Sequence, residues 1–172
     1  MLAGGRRRVR PLRDGVHIER WGEGDHALLS ALNGDPAQMR HVGGAESAEK
    51  IAERQARYAR DPGQLRIVDA GGASAGWVGF WAREWRGERV YEIGWSVLPA
   101  FQGRGLASAG TALALEAAAA VEALPVHAFP SVENGASNAV CRRLGFVLVE
   151  ADMAFEYPPG TKMVCNDWRR EP

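Results

Sequence analysis

Residues 89–123 constrain the fold of this chain more than any other stretch. Residues 89–98 read Arg-Val-Tyr-Glu-Ile-Gly-Trp-Ser-Val-Leu, a β-prone run that Pro99 stops, because proline cannot donate to a sheet ladder. The turn Gln102-Gly103-Arg104-Gly105-Leu106-Ala107 follows, and then an alanine-rich segment that predicts a helix to about residue 123. Gly103 and Gly105 permit backbone angles closed to other residues and let a ligand come close. The helix start brings unpaired N–H groups and the positive end of the helix dipole to the same space. Arg104 adds a charge able to pair with phosphate. The turn is therefore a candidate phosphate or pyrophosphate site, although glycine-rich strand-to-helix turns also occur as plain connections. No Gly-Lys-Ser/Thr follows, so it is not a Walker A loop. Ser108 stands where a dinucleotide fingerprint has its third glycine.

The rest of the pattern is α+β. Residues 16–21 alternate as a first strand, and Asp25 can cap a helix over 26–32. Asn33-Gly34-Asp35-Pro36 breaks it; residues 37–41 add a short turn before Gly43-Gly44. A second helix is expected over 47–59 and strands over 64–69 and 75–84, with a hairpin loop at 85–88. After the long helix come a short strand over 125–129 and a helix over 134–144 that ends at Gly145. Residues 146–150, 155–157 and 162–168 supply two last strands. The order β-α-α-β-β-β-α-β-α-β-β belongs to a mixed sheet flanked by helices.

At 172 residues, 46% hydrophobic and 24% charged, the chain suits one domain with a substantial core. Residues 1–15 read as a weakly ordered N-terminal extension and 16–172 as the domain. The formal charge is +0, from 21 basic and 21 acidic residues, which argues against a nucleic-acid or anionic-membrane partner. Arg6, Arg7, Arg8, Arg10 and Arg13 form a local basic cluster that reads as a solvated tail. Cys141 and Cys165 make no C-x-x-C pair, and no apolar run approaches the roughly 20 residues of a membrane span. A reducing, cytoplasmic setting is expected.

With these residues in place, the chain resembles the GNAT superfamily of N-acetyltransferases. Its Gln/Arg-x-x-Gly-x-Gly/Ala pattern is met by Gln102, Gly105 and Ala107, preceded by Val97 and Pro99. Residues 133–146, from Glu133-Asn134 through Ser137 to Leu144-Gly145-Phe146, look like its Asn-x-x-Ser…Leu-Gly-Phe segment. Residues 35–44 and Asn166-Asp167-Trp168 look like the branch that acetylates ribosomal-protein N-termini (RimJ/RimL-like). The resemblance covers about residues 16–168. It implies a GNAT fold, a mostly antiparallel sheet of about seven strands with about four helices and with strands 4 and 5 splayed. It implies acetyl-CoA as cosubstrate, no metal, and a homodimer as a common assembly. Trp95, Ser96 and Val97 would meet the pantetheine arm at the splay. Gly103, Arg104, Gly105, Leu106, Ala107 and Ser108, led by Gln102, would hold the pyrophosphate. Asn134 would bond the pantetheine, beside its plain reading as a helix N-cap, and Ser137 lies one turn on.

Acetyl transfer to an amine needs a neutral amine, donors for the oxyanion, and in many cases a proton for the leaving thiolate. Glu92 is the candidate base, since burial beside the acyl site would raise its pKa; its alternative is a strand carboxylate paired with Arg83 or Arg89. The Val97 N–H is the family's oxyanion donor. Many family members place an acidic Tyr one helical turn before the Gly-Phe, where this chain has Cys141. Cys141 or Ser137 would then be the proton donor, or Cys141 packs as a small apolar residue. His127 reads as structural. Met39, Trp81, Tyr91, Trp95 and Tyr157 are expected to wall the acceptor pocket, with Glu46, Asp152 and Glu156 drawing a cationic amine. The expected activity is transfer of acetyl to a primary amine, a protein N-terminus or a small molecule, by direct attack in a ternary complex. The alternatives are an antibiotic- or aminoglycoside-type acetyltransferase and a non-catalytic acyl-CoA-binding module.

Overall fold

The computed structural model describes residues 15–156 and 159–172, except the side chain of Phe155. Tyr157 and the N-terminal arginine cluster lie outside these residues. In chain order the elements are β1 (His17–Arg20), α1 (His26–Asn33), α2 (Pro36–Met39), α3 (Ala48–Tyr58), β2 (Gln64–Val68), β3 (Ser74–Trp85), β4 (Glu88–Val97), α4 (Leu106–Val121), β5 (Val126–Ala128), α5 (Gly135–Arg143), β6 (Val147–Glu156) and β7 (Lys162–Arg170). The fold is the expected GNAT arrangement, with five α-helices among the described residues where about four were expected. The additional one is α2. Pro36 occupies its first turn, where its missing N–H costs nothing, and the Asp35 carboxylate caps it by accepting from Ala37 N at 2.9 Å.

The seven strands run in the order β1-β2-β3-β4-β5-β7-β6, antiparallel except for the β4–β5 pair. Strand β7 therefore inserts between β5 and β6. The two expected pieces of β6 are one strand with register shifts on either side of Glu150. Asp152, at φ 54°, sits in that irregular stretch; a short polar residue tolerates the left-handed region better than most.

Alternation divides β3 and β4 between two cores. Val78, Phe80, Tyr91, Ile93 and Val97 join Leu106, Ala114, Leu115 and Ala118 of α4, and Cys141 and Phe146 around α5. On the other face Trp77 packs with Trp21, Leu28, Leu29, Leu32, Ile51 and Tyr58, from β1 to α3. Tyr58 stacks on Trp77 at 5.5 Å between ring centroids. Helix α4 lies close on β2 because of Gly110: a Cβ there would stand 2.6 Å from Ile67 Cδ1.

Candidate active site

The site begins where β4 and β5 part. Tyr91 N donates to Pro125 O at 2.9 Å, whereas Leu98 N donates to Ala75 O on the β3 side at 2.9 Å. Odd-numbered residues of β4 thus point their main-chain groups away from β3 and toward β5. The β4–β5 pairing covers only Tyr91↔Val126 and Glu92↔His127, and β5 ends at Ala128 while β4 continues to Val97. The N–H and C=O groups of Trp95 and Val97 therefore face a gap between the strands. This is the splay expected between strands 4 and 5.

The glycine turn opens beside that gap. Gly103 and Gly105 have φ of 71° and 76°, the left-handed region that other residues pay about 1 kcal/mol or more to enter. Gly105 is the N-cap of the 16-residue α4; no side chain caps that end and its first turn holds no acidic residue. The first intrahelical bond is Ala109 N to Gly105 O at 3.0 Å, so the earlier N–H groups are left for an anion. A Cβ at Gly103 would meet nothing within 4 Å, so the space in front of the turn is open. Arg104 is not aimed at that space. Its guanidinium donates to Asp69 Oδ2 at 3.0 Å and lies 5.1 Å from the Phe101 ring centre. Ser108, a buried residue, receives a bond at its hydroxyl from Arg143 of α5 at 2.9 Å. An uncapped helix end with two left-handed glycines and an open approach fits a pyrophosphate, and the free strand edge fits an amide-bearing arm.

Gln102 points away from the turn, back to β4. Its Nε2 donates to Val97 O at 3.0 Å and to Gln38 Oε1 at 2.9 Å, while Gln38 Nε2 donates to Val97 O at 2.8 Å. The sequence contains no signal for Gln38. It lies 59 residues from its carbonyl partner and belongs to a helix that the local pattern showed only as a turn.

Glu92 lies on the opposite sheet face from its neighbours Tyr91 and Ile93. It is registered with Trp81 on β3 and His127 on β5 and is ion-paired with Arg83. Its side chain is 17% exposed. Burial pushes its pKa above the ordinary carboxylate value, outweighing the opposing pull of Arg83 and, more weakly, of His127. On the same face the indoles close over Gly94: a Cβ there would stand 3.1 Å from Trp77 and 3.7 Å from Trp81. Beyond Glu92, His127 is buried, and its Nδ1 donates to Asp167 Oδ1 at 2.6 Å in the tautomer protonated there. Asp167 also accepts from Trp85 Nε1 at 3.0 Å. Burial works against the Asp167 carboxylate, but the His127 and Trp85 bonds hold its pKa below the ordinary value.

Helix α5 packs beside α4, with Cys141 in the core on the sheet face opposite Glu92. Asn134 caps α5, its Oδ1 accepting from Ser137 N at 3.0 Å, and Ser137 is half-buried. Asn138 is buried and fully bonded. Its Nδ2 donates to Ser131 O and Asn134 O, and its Oδ1 accepts from Asn166 Nδ2 and Trp168 Nε1 at 2.8 and 2.9 Å. The Asn166-Asp167-Trp168 segment is thus used in full to join β7 to α5 and to the His127 pair.

Two expectations need correction. Tyr91 is 5% exposed and packs edge-on against Phe80 at 5.3 Å, so it is a core residue turned away from Glu92 and Trp81. Trp95 has the same parity as Tyr91 and is half-buried against the same core, beside the gap. Cys141 has no exposed surface, and burial pushes its thiol up to about 12. A thiol that weakly acidic gives its proton to a leaving thiolate only uphill, since ordinary thiols lie near 8.5. Met39 is buried on α2 beside Gln38, and Trp81 shares the face of Glu92. Glu46 is held by Arg54 and Asn33, and Glu156 by Gly160 N. No helix among the described residues is long and apolar enough to cross a membrane.

Comparison with known proteins agrees with this architecture. The acetyl transferase from Salmonella typhimurium that modifies the N-terminal serine of the 50S ribosomal subunit protein L7/L12 is 22% identical, with 94% of this chain and 98% of that one covered and a TM-score of 0.76. The spermidine N-acetyltransferase from Vibrio cholerae, solved with CoA and spermine, is 19% identical over 92% of this chain and 96% of that one, also at 0.76. A GNAT-family acetyltransferase from Bacillus anthracis is 19% identical over 91% and 93%, at 0.71. No curated protein sequence matches the chain. The model of the acetyltransferase (GNAT) domain matches residues 16–147, most of the chain, and the protein therefore belongs to that family.

Proposed function

We propose that this protein transfers the acetyl group of acetyl-CoA to a primary amine by direct attack in a ternary complex. One observation carries the reading: the uncapped α4 N-terminus, with Gly103 and Gly105 at positive φ, opens beside the free edge of β4. The turn from Gly103 to Ser108 binds the pyrophosphate through main-chain N–H groups. Trp95 offers its main-chain groups to the pantetheine arm, and Asn134 and Ser137 border it from α5. Bound acetyl-CoA supplies an activated acyl carbon. The Val97 N–H faces the gap and stabilises negative charge on the acyl oxygen. Glu92 takes the proton from the attacking amine, directly or through water; its raised pKa brings it closer to the range in which a base is effective near neutrality. With Cys141 sealed in the core, Ser137 is the proton donor to the leaving thiolate, or the thiolate departs unprotonated.

The amine as acceptor rests on the family and on the named activities of two similar structures, one on a protein N-terminal serine and one on spermidine. Trp81 and the Met39 region are the proposed acceptor wall. The RimJ/RimL-like branch, a cytoplasmic setting and a homodimer belong to the same reading. A thiol-release assay with acetyl-CoA against a panel of peptides, polyamines and aminoglycosides tests it. Acetyl-CoA-dependent thiol release with an amine supports the enzyme. Tight CoA binding without turnover on any amine would leave the non-catalytic acyl-CoA-binding module in its place.

A further inference from the structure

The carbonyl of Val97 is the last β4 acceptor that faces the gap, and two side-chain amides from different parts of the chain already converge on it. Gln102 comes from the glycine turn and Gln38 from α2, on the proposed acceptor side. Gln102 Nε2 also donates to Gln38 Oε1, which closes a triangle of three bonds between 2.8 and 3.0 Å. A carbonyl oxygen has two lone pairs, so Val97 O is saturated by the two glutamines. Amides in this mutual arrangement hold one another's orientation, because flipping either one sets donor against donor or acceptor against acceptor.

Helix α2 has four residues, too few to be stable alone, and its position depends on what ties it down. At its N-terminus the Asp35 cap is local. After its last residue the chain turns back on it, with Val42 N and Gly44 N both donating to Met39 O, and Gly43 and Gly44 stand at positive φ. Met39 is buried, but Gln38 supplies the polar link from α2 to the donor side.

We propose that Gln38 is a positioning residue that couples the acetyl-CoA turn to helix α2, so that occupation of the donor site orders the acceptor-side segment 36–44. This rests on the reading of the turn and gap as the acetyl-CoA site. A ligand in the turn restrains Gln102 and the end of β4, and the amide triangle passes that restraint to α2. A second substrate then meets an acceptor wall already in place, which lowers the ordering cost of its binding.

Hydrogen–deuterium exchange on the full chain, with and without CoA, tests the coupling. In the unaltered protein, saturating CoA should slow exchange several-fold in peptides spanning 36–44 as well as in those spanning 97–108. In Gln38→Leu, which keeps the apolar bulk and removes both amide functions, CoA should still protect 97–108 with an affinity within about threefold of the parent, while protection of 36–44 disappears. Gln38→Ala should behave alike, and Gln38 is half-exposed, so neither change threatens the core. Protection of 36–44 that survives in both variants would overturn the coupling while leaving the donor site intact. Binding of CoA to the unaltered protein without any protection of 36–44 would do the same. Failure of the unaltered protein to bind CoA at all would overturn the donor-site reading and the coupling together.

Discussion

Arg83 and Glu92 form an ion pair across β3 and β4, on the sheet face that also carries Trp81 and His127. Burial and the guanidinium act in opposite directions on this carboxyl, and burial prevails. Replacing Arg83 by Met should therefore raise the Glu92 pKa further and move the acid limb of the kcat/KM profile to higher pH. Glu92→Gln should lower kcat/KM about a hundredfold and abolish that limb. A profile that stays unchanged in both variants removes Glu92 as the base. The stability sign follows from the same shift. A carboxyl whose folded pKa is raised favours the fold at low pH, where it is protonated, and that contribution is lost as pH rises through the folded value. Glu92→Gln should accordingly weaken the pH dependence of the melting temperature in this range.

Cys141 distinguishes packing from acid catalysis. Cys141→Ala should retain activity within about twofold and lose about 1 kcal/mol of stability from the vacated volume. Cys141→Ser should be less stable still, since a buried hydroxyl without a partner costs about 1–3 kcal/mol. Urea titrations paired with initial rates measure both. A folded Cys141→Ala protein with turnover reduced a hundredfold would restore the thiol as proton donor.

Gly105 tests the anion site with an internal control. Gly105→Ala places a Cβ on a left-handed backbone and should cost about 1 kcal/mol while CoA still binds. Gly105→Glu adds bulk and negative charge at the α4 N-terminus and should abolish binding in calorimetry while circular dichroism shows the fold retained. Equal CoA affinity in the two variants would place the pyrophosphate elsewhere.

Asn138 ties α5 to β7 through two bonds, accepted from Asn166 and Trp168, and to the loop before α5 through two more, donated to Ser131 O and Asn134 O. Asn138→Leu fills the volume but strands the buried Trp168 indole N–H and the Asn166 amide. The expected loss is about 2–4 kcal/mol, since each buried unpaired donor costs about 1–3 kcal/mol. Thermal and urea unfolding measure it. A loss below about 0.5 kcal/mol would mean that water replaces the side chain.

Local chemistry made much of this legible from residues alone. The stop at Pro99, the left-handed glycines and the alanine-rich helix each depend on a few adjacent residues, and the structure has them at β4, Gly103, Gly105 and α4. Strands β2 to β4 fall within two residues of their expected bounds because alternation and turn residues are short-range signals. In sequence the short helix α2 has only the signals of a turn, because four residues carry too little periodicity. The bulged β6 has the sequence pattern of two pieces, because its irregular stretch breaks the alternation on which a strand is recognised.

By itself, then, the sequence determined the strand–turn–helix unit, the alternating strands and the resemblance to a family of acetyltransferases. Only the tertiary structure decided which side chains meet. The order β5-β7-β6 brings Asp167 to His127, forty residues away, and β3–β4 register sets Glu92 beside Trp81 while turning Tyr91 into the core. The return of α2 across the end of β4 sets Gln38 on Val97 O. Turn and helix signals reside in neighbouring residues, whereas these pairings arise from strand order and packing, which no local window of the chain contains.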